Sequence, residues 1–223
     1  MATNRWKRLP SGWIQQRGLA QLSWRYKGKG SDNTAALMAL TAIAHAADDE
    51  TGTARITYDR MCEVTGLSRA KLSNGLDVLK NIEVIKAGTE SPRSTYELSD
   101  YDQTQGWAKF PVKSMYSSGR ILAFNEFHLR KVVELDALKL FFLFVARRDQ
   151  NTNYANIGYE RIQEYAGVKK DRIKSAISFL ASLSLVYVEQ IPSKINIYGI
   201  SNAYRIVGID PFNHRGTRGR SDV

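Results

Sequence analysis

Two short runs of the chain hold the side chains best suited to chemistry, and that chemistry is recognition. The first is Ser68-Arg69-Ala70-Lys71-Leu72-Ser73-Asn74, and the second is Lys169-Lys170-Asp171-Arg172-Ile173-Lys174-Ser175. Arg and Lys can hold the two acceptors on a guanine edge, and Asn can hold adenine through paired hydrogen bonds. Apolar residues recur at helical spacing in both runs: Leu72, Leu76 and Leu79 in one, Ile173, Ile177 and Leu180 in the other. The polar side chains therefore gather on the opposite face of each helix. That face carries Arg69, Lys71, Ser73, Asn74 and Asp77 in the first helix. In the second it carries Lys169, Lys170, Arg172, Lys174, Ser175 and Ser178. The second cluster works against helix electrostatics. A helix N-terminus is the positive end of the macrodipole and favours acids by about 0.3–1 kcal/mol per charge. Lys169 also stands where Ser68 offers a capping hydroxyl, and only Asp171 offsets the crowding of cations. A local rule broken at a cost marks a functional face.

The net charge points the same way. The 223 residues hold 32 Lys and Arg against 22 Asp and Glu, a formal charge of +10. So basic a chain suits a polyanion, nucleic acid before an acidic membrane surface. Residues 1–31 carry seven of the cations and no acid, with Trp6, Trp13, Trp24 and Tyr26 interleaved. The expectation is a basic arm in which Arg5, Lys7, Arg8, Lys27 and Lys29 follow a phosphate backbone. Trp13 and Trp24 are expected to pack on the first domain instead. Residues 209–223 add Arg215, Arg218 and Arg220 amid glycine and read as a basic flexible tail.

Catalytic signatures do not emerge. Neither a G-x-x-x-x-G-K-[ST] loop nor a G-x-G-x-x-G fingerprint occurs, and Gly28-Lys29-Gly30 is too short to serve as either. Cys62 is the lone cysteine, and His45, His128 and His214 are widely spaced, so no metal cluster is expected. The acidic turn Asp48-Asp49-Glu50 reads as a loop. No cofactor and no enzymatic role are expected. The longest apolar runs are far shorter than the roughly 20 residues that cross a bilayer, so the expectation is a cytoplasmic, nucleoid- or plasmid-associated protein with no membrane partner.

An internal repeat sets the architecture. Slid against itself by 101 residues, the chain shows 10 identities over the 50 positions Leu37–Lys86, among them Asp48/Asp149, Tyr58/Tyr159, Arg60/Arg161 and Gly66/Gly167. Conservative pairs such as Leu72/Ile173 and Leu76/Ile177 keep the apolar pattern. Gly12-Trp13 echoes Gly106-Trp107 at a different offset, which implies that one leader is about seven residues longer. Two copies read as a duplicated domain rather than a solenoid. Each copy predicts a helix (35–47; 138–146), a short second helix (58–64; 159–165), a glycine turn and a third helix (69–80; 170–183). Two strands follow, at 82–86 and 94–98, then at 185–190 and about 195–200 with 203–207 extended beyond. The expected division is a basic leader 1–31, a first domain 32–101, a connecting segment 102–136, a second domain 137–208 and the tail.

The phrase Tyr58-Asp-Arg-Met-Cys-Glu-Val-Thr-Gly-Leu-Ser-Arg-Ala-Lys-Leu-Ser-Asn-Gly-Leu-Asp-Val-Leu79 resembles the helix-turn-helix of bacterial winged-helix DNA-binding proteins. The tandem arrangement is similar to plasmid and phage replication initiators. The resemblance covers about 35–98 and 137–206. It implies an α+β, mostly helical chain of two winged-helix domains with short hairpin wings. It also implies double-stranded DNA as partner, with the third helices in the major groove. Lys86 and Arg93 in one wing, and Lys194 and Asn196 in the other, could then reach backbone or minor groove. The expected function is sequence-specific DNA binding in replication initiation of a plasmid, phage or integrative element. Transcriptional regulation is the alternative, and a tandem protein-interaction scaffold the rival from another class. Dimerisation and contact with replication or transcription machinery are further expectations.

Overall fold

The computed structural model describes residues 5–25, 29–90, 93–192 and 200–209. The first half runs β1 (Trp6–Pro10), α1 (Gly12–Gln15), a 3-10 turn (Gly18–Gln21), α2 (Gly30–Ala46), β2 (Thr53–Arg55), α3 (Tyr58–Thr65), α4 (Arg69–Asn81), β3 (Ile85–Glu90) and β4 (Arg93–Leu98). The second half runs β5 (Trp107–Pro111), a 3-10 turn (Lys113–Met115), β6 (Tyr116–Ser117), β7 (Arg120–Ile121), a 3-10 turn (Leu122–Glu126), α5 (Val132–Arg147), β8 (Tyr154–Asn156), α6 (Tyr159–Ala166), α7 (Lys170–Ser182), β9 (Val186–Pro192) and β10 (Ile200–Ile206). The architecture is α+β. Each half closes with a three-stranded antiparallel sheet of the same order, β2-β4-β3 and β8-β10-β9.

The same local devices build both halves. Asp48 Oδ1 accepts hydrogen bonds from the backbone of Glu50 and Thr51 and from the Thr51 hydroxyl. Asp149 Oδ1 does the same with Asn151 and Thr152. The acidic turn is thus a fold element, and it holds the Asp48 carboxyl below its ordinary value through the backbone hydrogen bonds of Thr51 and Glu50. The Thr57 hydroxyl caps α3 by accepting from Arg60 N at 3.2 Å. Gly66 and Gly167 end α3 and α6 in the left-handed region, at φ 74° and 63°, where a Cβ would be strained. Leu67 and Leu72 are both buried, one on each side of the Ser68 cap. At Gly75 a Cβ would lie 2.8 Å from the Ala35 carbonyl carbon, so α2 and α4 cross too closely for a side chain there.

The helices α2 and α5 begin earlier than their apolar runs suggest, at Gly30 and Val132. The strand expected from Ile82 starts at Ile85, because Glu83 turns left-handed at φ 57°, as its counterpart Ser184 does at 55°. The described partner of β9 is Ile200–Ile206, which takes in most of the stretch expected to be extended at 203–207, and 193–199 lie outside the described residues.

The leaders revise the alignment of the repeat. Trp6-Lys-Arg-Leu-Pro10 and Trp107-Ala-Lys-Phe-Pro111 stand at the same offset of 101 as the rest of the repeat, so neither leader is longer than the other. They pair antiparallel with Arg8 opposite its own equivalent Lys109, Trp6 opposite Pro111 and Pro10 opposite Trp107. Ser11 N donates to Gly106 O at 2.8 Å, and its equivalent Val112 N donates to Arg5 O at 2.9 Å. Trp6 and Trp107 stack at 5.7 Å. The Arg8 guanidinium lies 5.0 Å from the Trp107 ring, and the Lys109 ammonium 5.2 Å from the Trp6 ring. The register, the two backbone hydrogen bonds and the two cation–ring contacts come in mirrored pairs, which is the signature of an isologous two-fold interface. The chain is a pseudo-dimer joined in one polypeptide.

The leaders also cross over. Past β1, Arg17 pairs with Glu164 on α6 of the second half. Past β5, Gly119 O accepts from Arg60 on α3 of the first half at 3.1 Å. Residues expected as a basic arm and a connecting segment bury Leu9, Ile14, Leu19, Leu22, Phe110 and Met115 in one core shared by both halves. No helix among the described residues is long and apolar enough to cross a membrane.

Candidate nucleic-acid interface

Helices α4 and α7 bury the leucine and isoleucine stripe and expose the other face. In α4, Arg69, Ser73, Asn74 and Asp77 are exposed and Lys71 is half-buried. In α7, Lys170, Lys174, Ser175 and Ser178 are exposed and Arg172 is half-buried, and Lys169 before them is exposed. Ser68 accepts from Lys71 N at 3.3 Å and caps α4, whereas Lys169, at the N-cap of α7, makes no side-chain cap. The uncapped, cation-crowded start of α7 is real.

Most of these cations have acidic neighbours within the chain. Arg69 pairs with Asp59, and its equivalent Lys170 pairs with Glu160, the equivalent of Asp59, at 2.7 Å. Both pairs are exposed, and Lys170 holds the Glu160 carboxyl below its ordinary value by its hydrogen bond. Exposed pairs of this kind contribute about 0–1 kcal/mol, so either cation can exchange its carboxylate for a phosphate. Lys71 Nζ donates to Ser31 Oγ at 2.7 Å and Asp32 Oδ1 at 2.8 Å, and Asn74 donates to the same Asp32 oxygen at 3.2 Å. Partial burial pushes the Asp32 carboxyl up, but the hydrogen bonds of Lys71 and Asn74 outweigh it and hold it low.

Arg172 is different. Its Nε lies 3.1 Å from Asp136 Oδ2, and the Asp136 side chain is only 3% exposed. Burial raises the Asp136 carboxyl, against the pull of Arg172 and Lys139. Lys139 is itself buried, donates to Leu22 O at 2.8 Å and is lowered by burial to about 8. Arg172 thus answers a buried carboxylate. Leaving that carboxylate for a phosphate would take from buried Asp136 the cation that pairs with it, so Arg172 carries a structural load that the exposed cations do not. The sequence did carry a signal for this cluster: Asp136 and Lys139, three apart, interrupt the apolar run of α5.

Among the leader residues, Lys7 is not available to a phosphate. It is buried, donates to Ala47 O at 2.9 Å and pairs with Asp49 at 3.1 Å. Arg8 is half-buried, with Nη1 on Asp49 O at 3.4 Å and its guanidinium on Trp107. Burial won here because β1 pairs with β5 and packs against α2. Arg5 and Lys29 are exposed. Trp13 packs on Phe142 of the second half, across the crossover, and Trp24 packs against the core. In the wings, Lys86 is exposed on β3, and Arg93 lies in β4 paired with Glu90 in backbone register. The Arg93 side chain, Lys27, Lys194, Asn196 and the tail arginines lie outside the described residues. No group of three or more His, Cys, Asp or Glu side chains among the described residues could hold a metal ion.

Compared with known proteins, the chain matches no family model and no curated protein.

Proposed function

We propose that each half is a winged-helix domain and that the chain binds double-stranded DNA through α4 and α7 together. One observation carries the reading: two equivalent helices expose hydroxyls and exchangeable cations, and one internal two-fold relates the halves that bear them. The helix, strand, helix, helix, hairpin order of each half supports the domain assignment. Arg69, Ser73, Lys169, Lys170, Lys174 and Ser175 are the reading and phosphate-contacting set. Lys71 and Asn74 sit beside them, held by Asp32. Ser68 contributes as the cap of α4. Two heads within one chain suit an initiator of plasmid, phage or integrative-element replication, which needs no second copy to span two grooves.

A two-fold in the protein asks for a two-fold in the duplex. The target is therefore two inverted half-sites, spaced by about one helical turn of 10–10.5 base pairs or a multiple of it. Selection from a random duplex library tests this. Recovery of inverted half-sites, with affinity falling steeply as salt rises, is the expected result. Direct repeats would break the symmetry argument, and no enrichment would end the DNA reading.

A further inference from the structure

Around one pair of equivalent helix positions the two halves differ sharply in bulk. In the second half the ring of Tyr165, on α6, lies near two guanidiniums: Arg147 of α5 at 4.2 Å and Arg17 of the crossing leader at 5.9 Å. The first-half counterparts of Tyr165 and Arg147 are Val64 and Ala46. These are far smaller, and a cleft of about 630 Å³ opens beside them, bounded by α2, α3 and the crossing segment after β5. That volume falls in the usual range for small-molecule sites, about 300–1,000 Å³.

The lining has two characters. Ala42, Ala46, Ile56, Val64 and Val112 form apolar walls. Lys7, Arg55, Arg60 and Lys113 are the charged groups, and no acidic residue lines the cleft among the described residues. Asp49 already answers Lys7 at 3.1 Å, and Glu63 answers Arg60 at 2.6 Å. Arg55 and Lys113 are exposed and make no ion pair among the described residues. His45, Tyr116 and Gly119 complete the lining. A carbonyl can only accept, so His45 Nε2 carries the proton it donates to Pro111 O at 2.8 Å. Burial keeps this histidine neutral down to about pH 3. Its Nδ1 then accepts from the Tyr116 hydroxyl at 3.2 Å, which fixes that hydroxyl's proton away from any ligand.

We propose that this cleft binds a small planar aromatic acid. Its ring takes the place that Tyr165 fills in the other half, and its acid group meets Arg55 and Lys113, with Arg60 beside them. An aliphatic acid lacks the flat surface, and a neutral aromatic leaves the two rim cations without a counter-charge. The inference stands on the cleft and its filled counterpart and does not depend on DNA binding.

Calorimetric titration of the full chain with 1-naphthoate, with 1-naphthalenemethanol as the neutral control, tests it. The expected result is one saturable naphthoate site per chain, about tenfold tighter than the alcohol, as for hydrogen bonds to a charged group. Naphthoate should also raise the melting temperature as its concentration rises. Arg55→Glu with Lys113→Glu changes two exposed residues and should remove the tenfold preference while leaving the alcohol unaffected. Val64→Tyr, which fills the cleft as the second half does, should abolish naphthoate binding. Equal affinity for the alcohol, no saturable site at millimolar naphthoate, or undiminished binding in the charge-reversed variant would each overturn the proposal. If Val64→Tyr does not fold, the charge-reversed variant decides.

Discussion

Asp32 and Asp136 both lie on the first long helix of their halves, and both take a cation from the third helix, Lys71 or Arg172. Asp32 keeps 20% of its side chain in water and Asp136 only 3%. The same pairing is therefore two different interactions. Water shares the charge of Asp32, with Ser31 and Asn74 beside the lysine and the carboxylate. For Asp136 the guanidinium must do most of the work, and burial already pushes the carboxyl toward its neutral form. Breaking a buried pair by removing one partner costs about 3–5 kcal/mol, whereas an exposed pair contributes at most about 1 kcal/mol. Arg172→Ala should accordingly destabilise the chain by about 3–5 kcal/mol, and Lys71→Ala by roughly 1 kcal/mol or less. Urea denaturation of both variants makes the comparison, and equal losses would erase the distinction between the two halves.

A second difference is a titrating group. His45 has Ala146 as its counterpart, so only the first half buries an imidazole at that site. Burial lowers His45 from its ordinary value of 6.5 to about 3, with the Pro111 hydrogen bond opposing and the Lys7 charge assisting. Between those values the unfolded chain binds the proton and the folded chain does not. Stability therefore rises with pH through this window and falls as pH drops below 6.5, by about 1.4 kcal/mol per pH unit for one proton. His45→Gln should flatten the slope of folding free energy between pH 6.5 and 4.5. An unchanged slope would place the acid sensitivity in other groups.

Arg69 and Lys170 probe the shared part of the comparison, since they are equivalent and pair with equivalent exposed acids. Alanine at either position should weaken specific DNA binding by about 1–3 kcal/mol with little change in stability. The two losses should be similar if both heads read the duplex. A mobility-shift titration in which only one variant loses affinity would assign reading to a single head.

The repeat, the three helices of each half and the turn chemistry were legible because they rest on local signals: Leu72, Leu76 and Leu79 at helical spacing, Gly66 at a left-handed position, Ser68 as a cap. The two-fold was not legible, although its parts were in plain sight as Trp6–Pro10 and Trp107–Pro111. Antiparallel pairing between strands about 100 residues apart is a non-local choice, and the echo between Trp13 and Trp107 competed with the true one. The same blindness affected Lys7. Positive charge in a leader reads as surface until a strand partner turns that residue inward. Arg172 and Lys71 looked alike because sequence gives the cation's face and not the burial of its acid. The cleft had a sequence signal in the substitutions Val64 for Tyr165 and Ala46 for Arg147, and it became meaningful only once the crossing leaders showed what surrounds those positions.

The smallest expected effect is the one that separates folding from function most cleanly. Ser68 caps α4, whereas Lys169 leaves α7 uncapped and adds a positive charge where the helix dipole is already positive. Lys169→Ser repairs both defects and should stabilise the chain by about 1 kcal/mol. A solvated lysine with no role would give that gain at no cost to binding. A lysine held there to meet phosphate gives the opposite pairing: higher resistance to urea together with weaker DNA binding and a salt slope reduced by about one unit. Opposite signs from one substitution cannot come from altered folding, because a more stable fold would bind at least as well. Measured together on the same preparation, the two changes decide whether the second helix departs from the first for the sake of the duplex.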